Sequence, residues 1–215
     1  MKVTIIIPTF NASDNLNLSL PFFEELSNHA NFDVCFIDSL SKDDTLKRLV
    51  DCDLRLIGEV DPDEFDHGGT RTFYGRLSEG DIVLYLTQDA LPFSVSDVER
   101  LVSVFHDKNV GAAFGRQIPY KETSLFGKHL RKFNYNDESY IRDINDKDLY
   151  GIKTAFLSNS FAAYRRSAMD EIGWFKDGLI LGEDTYAGAK LLKKGYKLAY
   201  VADAQVYHSH SYTVL

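Results

Sequence analysis

The sequence predicts an α/β protein built around a parallel sheet, and three observations carry that expectation. Short apolar runs rich in β-branched residues alternate with stretches whose apolar residues recur at helical spacing. Those runs show little polar alternation, as expected of strands covered on both faces. Several stop abruptly on a carboxylate followed by turn residues, and in open α/β sheets ligands collect at the carboxyl ends of the strands. The order strand, helix, strand, helix implies right-handed crossovers between parallel neighbours.

Val3 to Ile7 is the first such run, ended by Pro8-Thr9-Phe10-Asn11. Ser13 or Asp14 is placed to cap a helix whose Leu16, Leu20, Phe23 and Leu26 share one face. Phe32 to Asp38 is the second strand. The Ser-rich loop Ser39 to Thr45 leads into a helix from Leu46 to Val50, and Leu54 to Ile57 is a short third strand. An acidic loop, Glu59 to Asp66, precedes His67-Gly68-Gly69-Thr70-Arg71. There the paired glycines admit a close backbone approach, and Arg71 stands one turn into a helix reaching Leu77.

Ile82 to Leu86 is a buried strand that breaks off at Thr87-Gln88-Asp89, with Pro92 barring its continuation. A helix from Asp97 to Phe105 and a strand from Val110 to Gln117 follow. Residues Tyr120 to Tyr150 mix aromatics with both charges and show no clean period, the pattern of a mobile, partly helical insertion near a site entrance. Ala155 to Arg165 alternates as a strand, and Ser167 to Ile172 is a helix. Glu183-Asp184 opens a helix from Tyr186 to Lys194, which Gly195 ends. Lys197 to Val201 is the last strand, and the chain closes through Tyr207-His208-Ser209-His210-Ser211-Tyr212.

Composition narrows the function. A length of 215 residues suits a single domain over 1–215, with the variable insertion at about 120–150. No apolar run approaches the roughly 20 residues of a membrane span. Met1-Lys2 leads straight into the first strand without a signal peptide's length or cleavage site, so a cytoplasmic location is expected. Cys35 and Cys52 have neither disulfide nor metal spacing and are expected to be reduced and inert. A formal charge of −8 argues against a nucleic-acid partner, which calls for a basic face. An acidic protein that handles anions needs a metal or a local basic pocket.

Asp38, Asp89, Glu183 and Asp184 all follow apolar segments of one sheet and are expected to face one crevice. Each has a plainer reading beside the functional one. Asp89 could cap the helix beginning near Ser96 or close a turn, and Glu183 with Asp184 could simply complement a helix dipole. His208 and His210, at i and i+2 on an extended segment, point to one side; they are either a polar tail or donors to a hard-cation site with the carboxylates.

As a set, Pro8-Thr9-Phe10-Asn11, Asp38 with Ser-x-Ser-x-Asp-x-Thr, Phe65-Asp66-His67-Gly68-Gly69-Thr70-Arg71, Leu86-Thr87-Gln88-Asp89-Ala90, Gly182-Glu183-Asp184 and Tyr207-His208-Ser209-His210-Ser211-Tyr212 resemble a known family. They look like the inverting family 2 glycosyltransferases of GT-A fold, a Rossmann-like three-layer α/β/α architecture with a mostly parallel central sheet. The similarity is to the bacterial rhamnosyltransferase branch, which uses dTDP-L-rhamnose, and it runs from Val3 to Tyr212.

The resemblance implies a role for each residue. Pro8, Thr9 and Asn11 would line the nucleotide pocket, Asp38 would accept hydrogen bonds from the nucleoside, Arg71 would neutralise diphosphate, and Gln88 would join the donor site. Asp89 would hold Mg²⁺ or Mn²⁺ against the diphosphate, with His208 as a further ligand. Asp184 would be the general base that deprotonates an acceptor hydroxyl. Glu183 would orient a hydroxyl or support the helix start. Apart from the resemblance, Trp174 and the aromatics of the insertion from Tyr120 to Tyr150 are expected either to stack on acceptor sugar rings or to be plain packing. The acceptor implied is a glycan or a lipid-linked glycan, met in the cytoplasm at the inner face of the membrane.

Three residues depart from the family pattern. Thr87 stands where the first acid of Asp-x-Asp is usual, Asp44 replaces a glycine, and Thr72 replaces an asparagine. Relatives usually continue past Tyr212, so a C-terminal extension is expected to be missing or the chain to be a short member. Among rivals, a sugar-nucleotide pyrophosphorylase lacks its Gly-rich, Lys-containing loop here, and an aspartyl-phosphate phosphatase lacks Asp-x-Asp on the first strand. Use of another donor such as a UDP-hexose, or a catalytically weak sugar-binding module, are the remaining readings.

Overall fold

Alternate residues of the first apolar run face two different cores: Val3, Ile5 and Ile7 pack into one, Ile6 into the other. Ile82, Leu84 and Leu86 repeat the first face, and Val83 and Tyr85 the second. Two-sided burial explains the unbroken apolar runs. Each fully buried isoleucine contributes about 1.5–3 kcal/mol.

A computed structural model describes residues 1–208. The strands are β1 (Val3–Thr9), β2 (Phe32–Asp38), β3 (Arg55–Glu59), β4 (Ile82–Leu86), β5 (Leu91–Pro92), β6 (Val110–Ile118), β7 (Tyr140–Arg142), β8 (Phe161–Arg165) and β9 (Lys197–Tyr207). The helices are α1 (Ser13–Ser27), α2 (Thr45–Asp51), α3 (His67–Leu77), α4 (Val95–Ser103), α5 (Leu125–Asn134), α6 (Lys147–Tyr150), α7 (Arg166–Ile172) and α8 (Glu183–Lys193). One sheet runs in the order β3-β2-β1-β4-β8-β6-β9-β5, with β7 paired to β9. Residues of α1, α2 and α4 fill the first core, and residues of α3, α7 and α8 the second, giving three layers.

The sheet is mostly parallel, with exceptions the sequence did not disclose. β8 runs antiparallel to both β4 and β6, and β5 and β7 run antiparallel to β9. An apolar run carries no direction, so orientation follows only from the connections. Here the strand expected over Ala155 to Arg165 shrinks to its second half, because Gly151–Ala155 is a 3-10 turn and Phe161 N–H bonds back to Ser158.

Three further boundaries differ for identifiable reasons. Neither Ser13 nor Asp14 caps α1. The loop before α2 does so instead: Ala12 N–H donates to Thr45 Oγ1 (2.7 Å) and Ser13 N–H to Asp43 Oδ2 (3.0 Å). β9 outruns its expected end at Val201 because the register with β6 slips there, Gly115 opposing Val201 and Arg116 opposing Gln205. Buried Asp97 accepts Gln205 N–H (2.9 Å) across that bulge. The insertion is also less separate than expected. β7 joins the sheet beside β9, and Tyr135 and Tyr140 pack with Phe114, Phe156 and Tyr200, so these aromatics are core rather than sugar platforms. Cys35 is buried, with burial and then Asp33 pushing its thiol up to about 12, as expected of an inert residue.

Candidate active site

The carboxyl ends of β1, β2 and β4 meet the start of α3 around a cavity of about 370 Å³. Pro8, Thr9 and Phe10 form one wall, Phe65, His67 and Arg71 another, and Ser39, Thr87 and Gln88 complete it. Mostly apolar walls with a few convergent polar groups suit an organic ligand. Thr87 Oγ1 is buried there with no hydrogen-bond partner, as is Arg71 Nε. Thr87 and Arg71 thus line the cavity while each keeps a buried polar atom without a protein partner.

Several residues expected to touch a nucleotide are bonded to the surrounding chain. Asp38 is fully buried: its carboxylate accepts from Thr9 Oγ1 (3.1 Å), Ser41 N–H (2.7 Å) and Ser41 Oγ (2.6 Å). It therefore sets the loop, while its neighbours Thr9 and Ser39 line the cavity. Asn11 is exposed at φ 47°, its N–H donating to Ser41 Oγ and its Oδ1 accepting from Lys42 N–H (2.9 Å). The Gln88 amide is likewise spent on the Phe10 backbone, accepting from N–H (2.7 Å) and donating to the carbonyl (3.1 Å). The paired glycines also have an internal reason. A Cβ on Gly68 would stand 2.0 Å from the Lys176 carbonyl, so the close approach is to the chain itself.

Arg71 links the cavity wall to α8. Its Nη1 bonds Glu183 Oε1 at 2.7 Å, with both side chains almost wholly buried. One guanidinium arm is thus already neutralised by protein, a point the resemblance alone did not convey. His67 lies beside it, its Nδ1 3.3 Å from Arg71 Nη1. Burial first, then the Arg71 charge, pushes the His67 pKa down and keeps the ring neutral.

Asn159 is the hub the sequence reading missed. Its Nδ2 donates to Glu183 Oε1 (3.0 Å), its Oδ1 accepts from the Tyr164 hydroxyl (2.7 Å), and its N–H donates to Asp184 Oδ2 (3.2 Å). The signal was Ser158-Asn159-Ser160, a polar triplet inside an apolar stretch. Asp184, next to Glu183 on the first turn of α8, also accepts from Thr185 N–H (2.6 Å). Burial and then the Glu183 charge raise its pKa, as suits a carboxylate that must take a proton. Asn159→Ala is expected to cost about 1–3 kcal/mol by leaving the Tyr164 hydroxyl without its acceptor and taking one of two donors from Glu183 Oε1, which keeps Arg71. Thermal unfolding reads this directly, and an unchanged Tm would deny the network any stabilising role.

Asp89 does not cap α4, whose N-cap is Ser94. The bulged β9 delivers His208 to it instead, with Nε2 at 3.2 Å from Asp89 Oδ2. Gln117 Oε1 faces His208 Nδ1 at 2.8 Å, while Gln117 Nε2 donates to Ser158 (2.8 Å). An outer acceptor on one ring nitrogen leaves the other for a ligand, which is how metal-binding histidines are usually oriented. A carboxylate and an imidazole side by side fit a divalent cation that draws further oxygens from a bound ligand. No group of three or more His, Cys, Asp or Glu able to hold a metal occurs among the described residues. His210 lies outside the described residues.

Trp174 is a correction. It is 1% exposed, packs in the second core, and donates Nε1–H to Asp170 (2.8 Å), so it cannot stack on an acceptor sugar. Asp66, given no role beforehand, caps α3 through Gly69 N–H and holds Gly178 N–H (3.0 Å) in the loop before α8. An Asp three residues before a glycine at a helix start was the readable sign.

The family model for glycosyl transferase family 2 matches residues 4–173. The O-antigen chain rhamnosyltransferase WbaN of Salmonella anatum is 42% identical over 212 residues, 98% of this chain and 67% of that protein. RfbN of Salmonella typhimurium, named likewise, is 40% identical over 214 residues, 99% and 68% of the two chains. Among solved structures, the mannosyltransferase PcManGT of Pyrobaculum calidifontis, in complex with GDP-Man and Mn²⁺, superposes with a TM-score of 0.71 at 19% identity. That match covers 97% of this chain and 56% of that one, and it shows a common GT-A fold. This chain therefore spans about two thirds of its two relatives. With its strands, cavity and family match in agreement, the chain belongs to glycosyl transferase family 2.

Proposed function

We propose that this chain is the catalytic domain of an inverting glycosyltransferase. It moves L-rhamnose from dTDP-L-rhamnose onto a glycan or lipid-linked acceptor in cell-surface polysaccharide synthesis, at the cytoplasmic face of the membrane. The observation that carries the mechanism is Asp184, a largely buried carboxylate with a raised pKa, held by Asn159 beside the Arg71–Glu183 pair. The names of the two relatives that match nearly the whole chain support the sugar.

In this reading the nucleotide occupies the cavity lined by Pro8, Thr9, Phe10, Arg71 and Thr87. Asp184 accepts the proton of the acceptor hydroxyl as that oxygen attacks the anomeric carbon, and dTDP departs from the opposite face. One displacement inverts the centre, so no enzyme nucleophile is needed. Asp89 and His208 would hold Mg²⁺ or Mn²⁺, which would offset the charge developing on the leaving diphosphate. The Mn²⁺ named with the mannosyltransferase supports a cation of this kind. No helix among the described residues is long and apolar enough to cross a membrane.

The test is nucleotide release from dTDP-L-rhamnose, UDP-sugars and GDP-mannose, with and without Mn²⁺. Release from dTDP-L-rhamnose well above the others, dependent on Mn²⁺, is the expected result. Preference for a UDP- or GDP-sugar would overturn the donor, and binding of nucleotide without release from any donor would make the chain a binding module.

A further inference from the structure

Helix α5 is unusual in what it leaves uncovered. Of its ten residues only Gly127 is buried, whereas Leu125 is 87% and Phe133 64% exposed. At about 100° per residue, Leu125, His129, Leu130 and Phe133 fall on one arc, while Lys128, Arg131 and Lys132 fall on the adjoining one. The helix has three cations and no acidic residue in a chain of net charge −8. The same surface continues beyond the helix. Lys153 Nζ sits 3.8 Å over the Phe133 ring, and its carbonyl accepts from Arg142, whose guanidinium lies 3.9 Å from both Tyr140 and Tyr150. Leu149 and Ile152, 75% and 80% exposed, flank Tyr150.

We infer that this surface, α5 with the Leu149–Lys153 turn, docks the domain on an anionic lipid headgroup layer. A short helix in water gains little from its own hydrogen bonds, so this apolar arc calls for a cover. Cations along the edge of an apolar arc match a layer that is negative at the headgroups and apolar beneath. Asp143, Asp146 and Asp148 precede the turn, so the positive charge is confined to α5, Arg142 and Lys153; there cations edge exposed aliphatics, and the lipid surface complements both. The inference deepens the membrane-face part of the proposed function and is independent of the donor sugar.

Vesicle co-sedimentation tests it with the whole chain and no donor or acceptor present. The protein is expected to bind vesicles containing phosphatidylglycerol, to bind pure phosphatidylcholine weakly, and to be released by salt. Lys128→Glu/Lys132→Glu should lower partitioning at least about thirtyfold, the effect of losing two basic residues at roughly 1 kcal/mol each, with the added acids lowering it further. Lys128→Arg/Lys132→Arg should retain binding, and Leu149→Gln/Ile152→Gln should weaken it. Equal binding to neutral vesicles, no binding to either, or unchanged binding of the Glu variant would overturn the inference. So would a concentration-dependent dimer in light scattering that the Glu variant abolishes, since that assigns the surface to a second copy. Vesicle binding without sugar transfer, or the reverse, separates failure of the docking surface from failure of the rhamnosyltransferase reading.

Discussion

Asp184→Asn is expected to slow sugar transfer by about a hundredfold to ten-thousandfold, the range for losing a general base, while leaving nucleotide affinity unchanged. The amide keeps the shape and can still accept from Asn159 or Thr185 N–H, so the loss isolates proton acceptance from geometry. Single-turnover rates beside calorimetric binding of dTDP check it, and near-normal turnover would remove Asp184 from the mechanism. The same variant should not lose stability at neutral pH. Burial raises the folded pKa of this carboxyl above its unfolded value. Ionisation therefore costs stability increasingly as pH climbs from the unfolded pKa to the folded one, and fully above it. Asparagine has no such cost, so Tm should hold or rise.

The pH profile of transfer carries a second sign. The rate should climb with pH through the pKa of Asp184, which burial raises above its ordinary value. Glu183 is the second cause of that shift, after burial, and Arg71 opposes it. Glu183→Gln deletes the raising charge and leaves Arg71 unneutralised, so the acidic limb should move to lower pH. A limb that stays in place would detach the Arg71–Glu183 pair from the base.

Much of the frame was legible because apolar runs and helical spacing are local signals. β2 and β4 begin and end where the sequence placed them. What escaped were features set by distant partners. The β9 bulge depends on Asp97, 108 residues from Gln205 in sequence, and nothing near Val201 announces it. The α1 cap is supplied by Asp43 and Thr45 across the loop between β2 and α2. At the site, residue types led to the right elements but did not disclose their internal bonds. Asp38, Asn11 and Gln88 brace neighbouring loops, Asp38 because a buried polar group must find a partner and the nearest is often the chain itself. Trp174 misled for a related reason: an aromatic near a loop says nothing about which way its ring turns.

The Asp89–His208 pair is the point at which the unexpected length of β9 matters, and Asp89→Ala gives the second large effect. The variant is expected to abolish the gain in dTDP affinity that Mn²⁺ confers, measured by calorimetry with and without the ion, while affinity in its absence changes little. Thr87 offers no second acid at this strand end, so among the described residues the proposed hold on the cation rests on the Asp89 carboxylate and the His208 imidazole. Loss of either should then remove most of it. Gln117→Leu provides the graded control. It touches neither Asp89 nor the nucleotide cavity, yet it deletes the acceptor on His208 Nδ1, and removing such an outer partner typically weakens metal affinity about 10–100-fold. If Asp89→Ala and Gln117→Leu both leave the Mn²⁺ dependence intact, the pair is a structural clasp holding the end of β9 to β4. In that case Tm, rather than metal affinity, is the quantity both substitutions would lower.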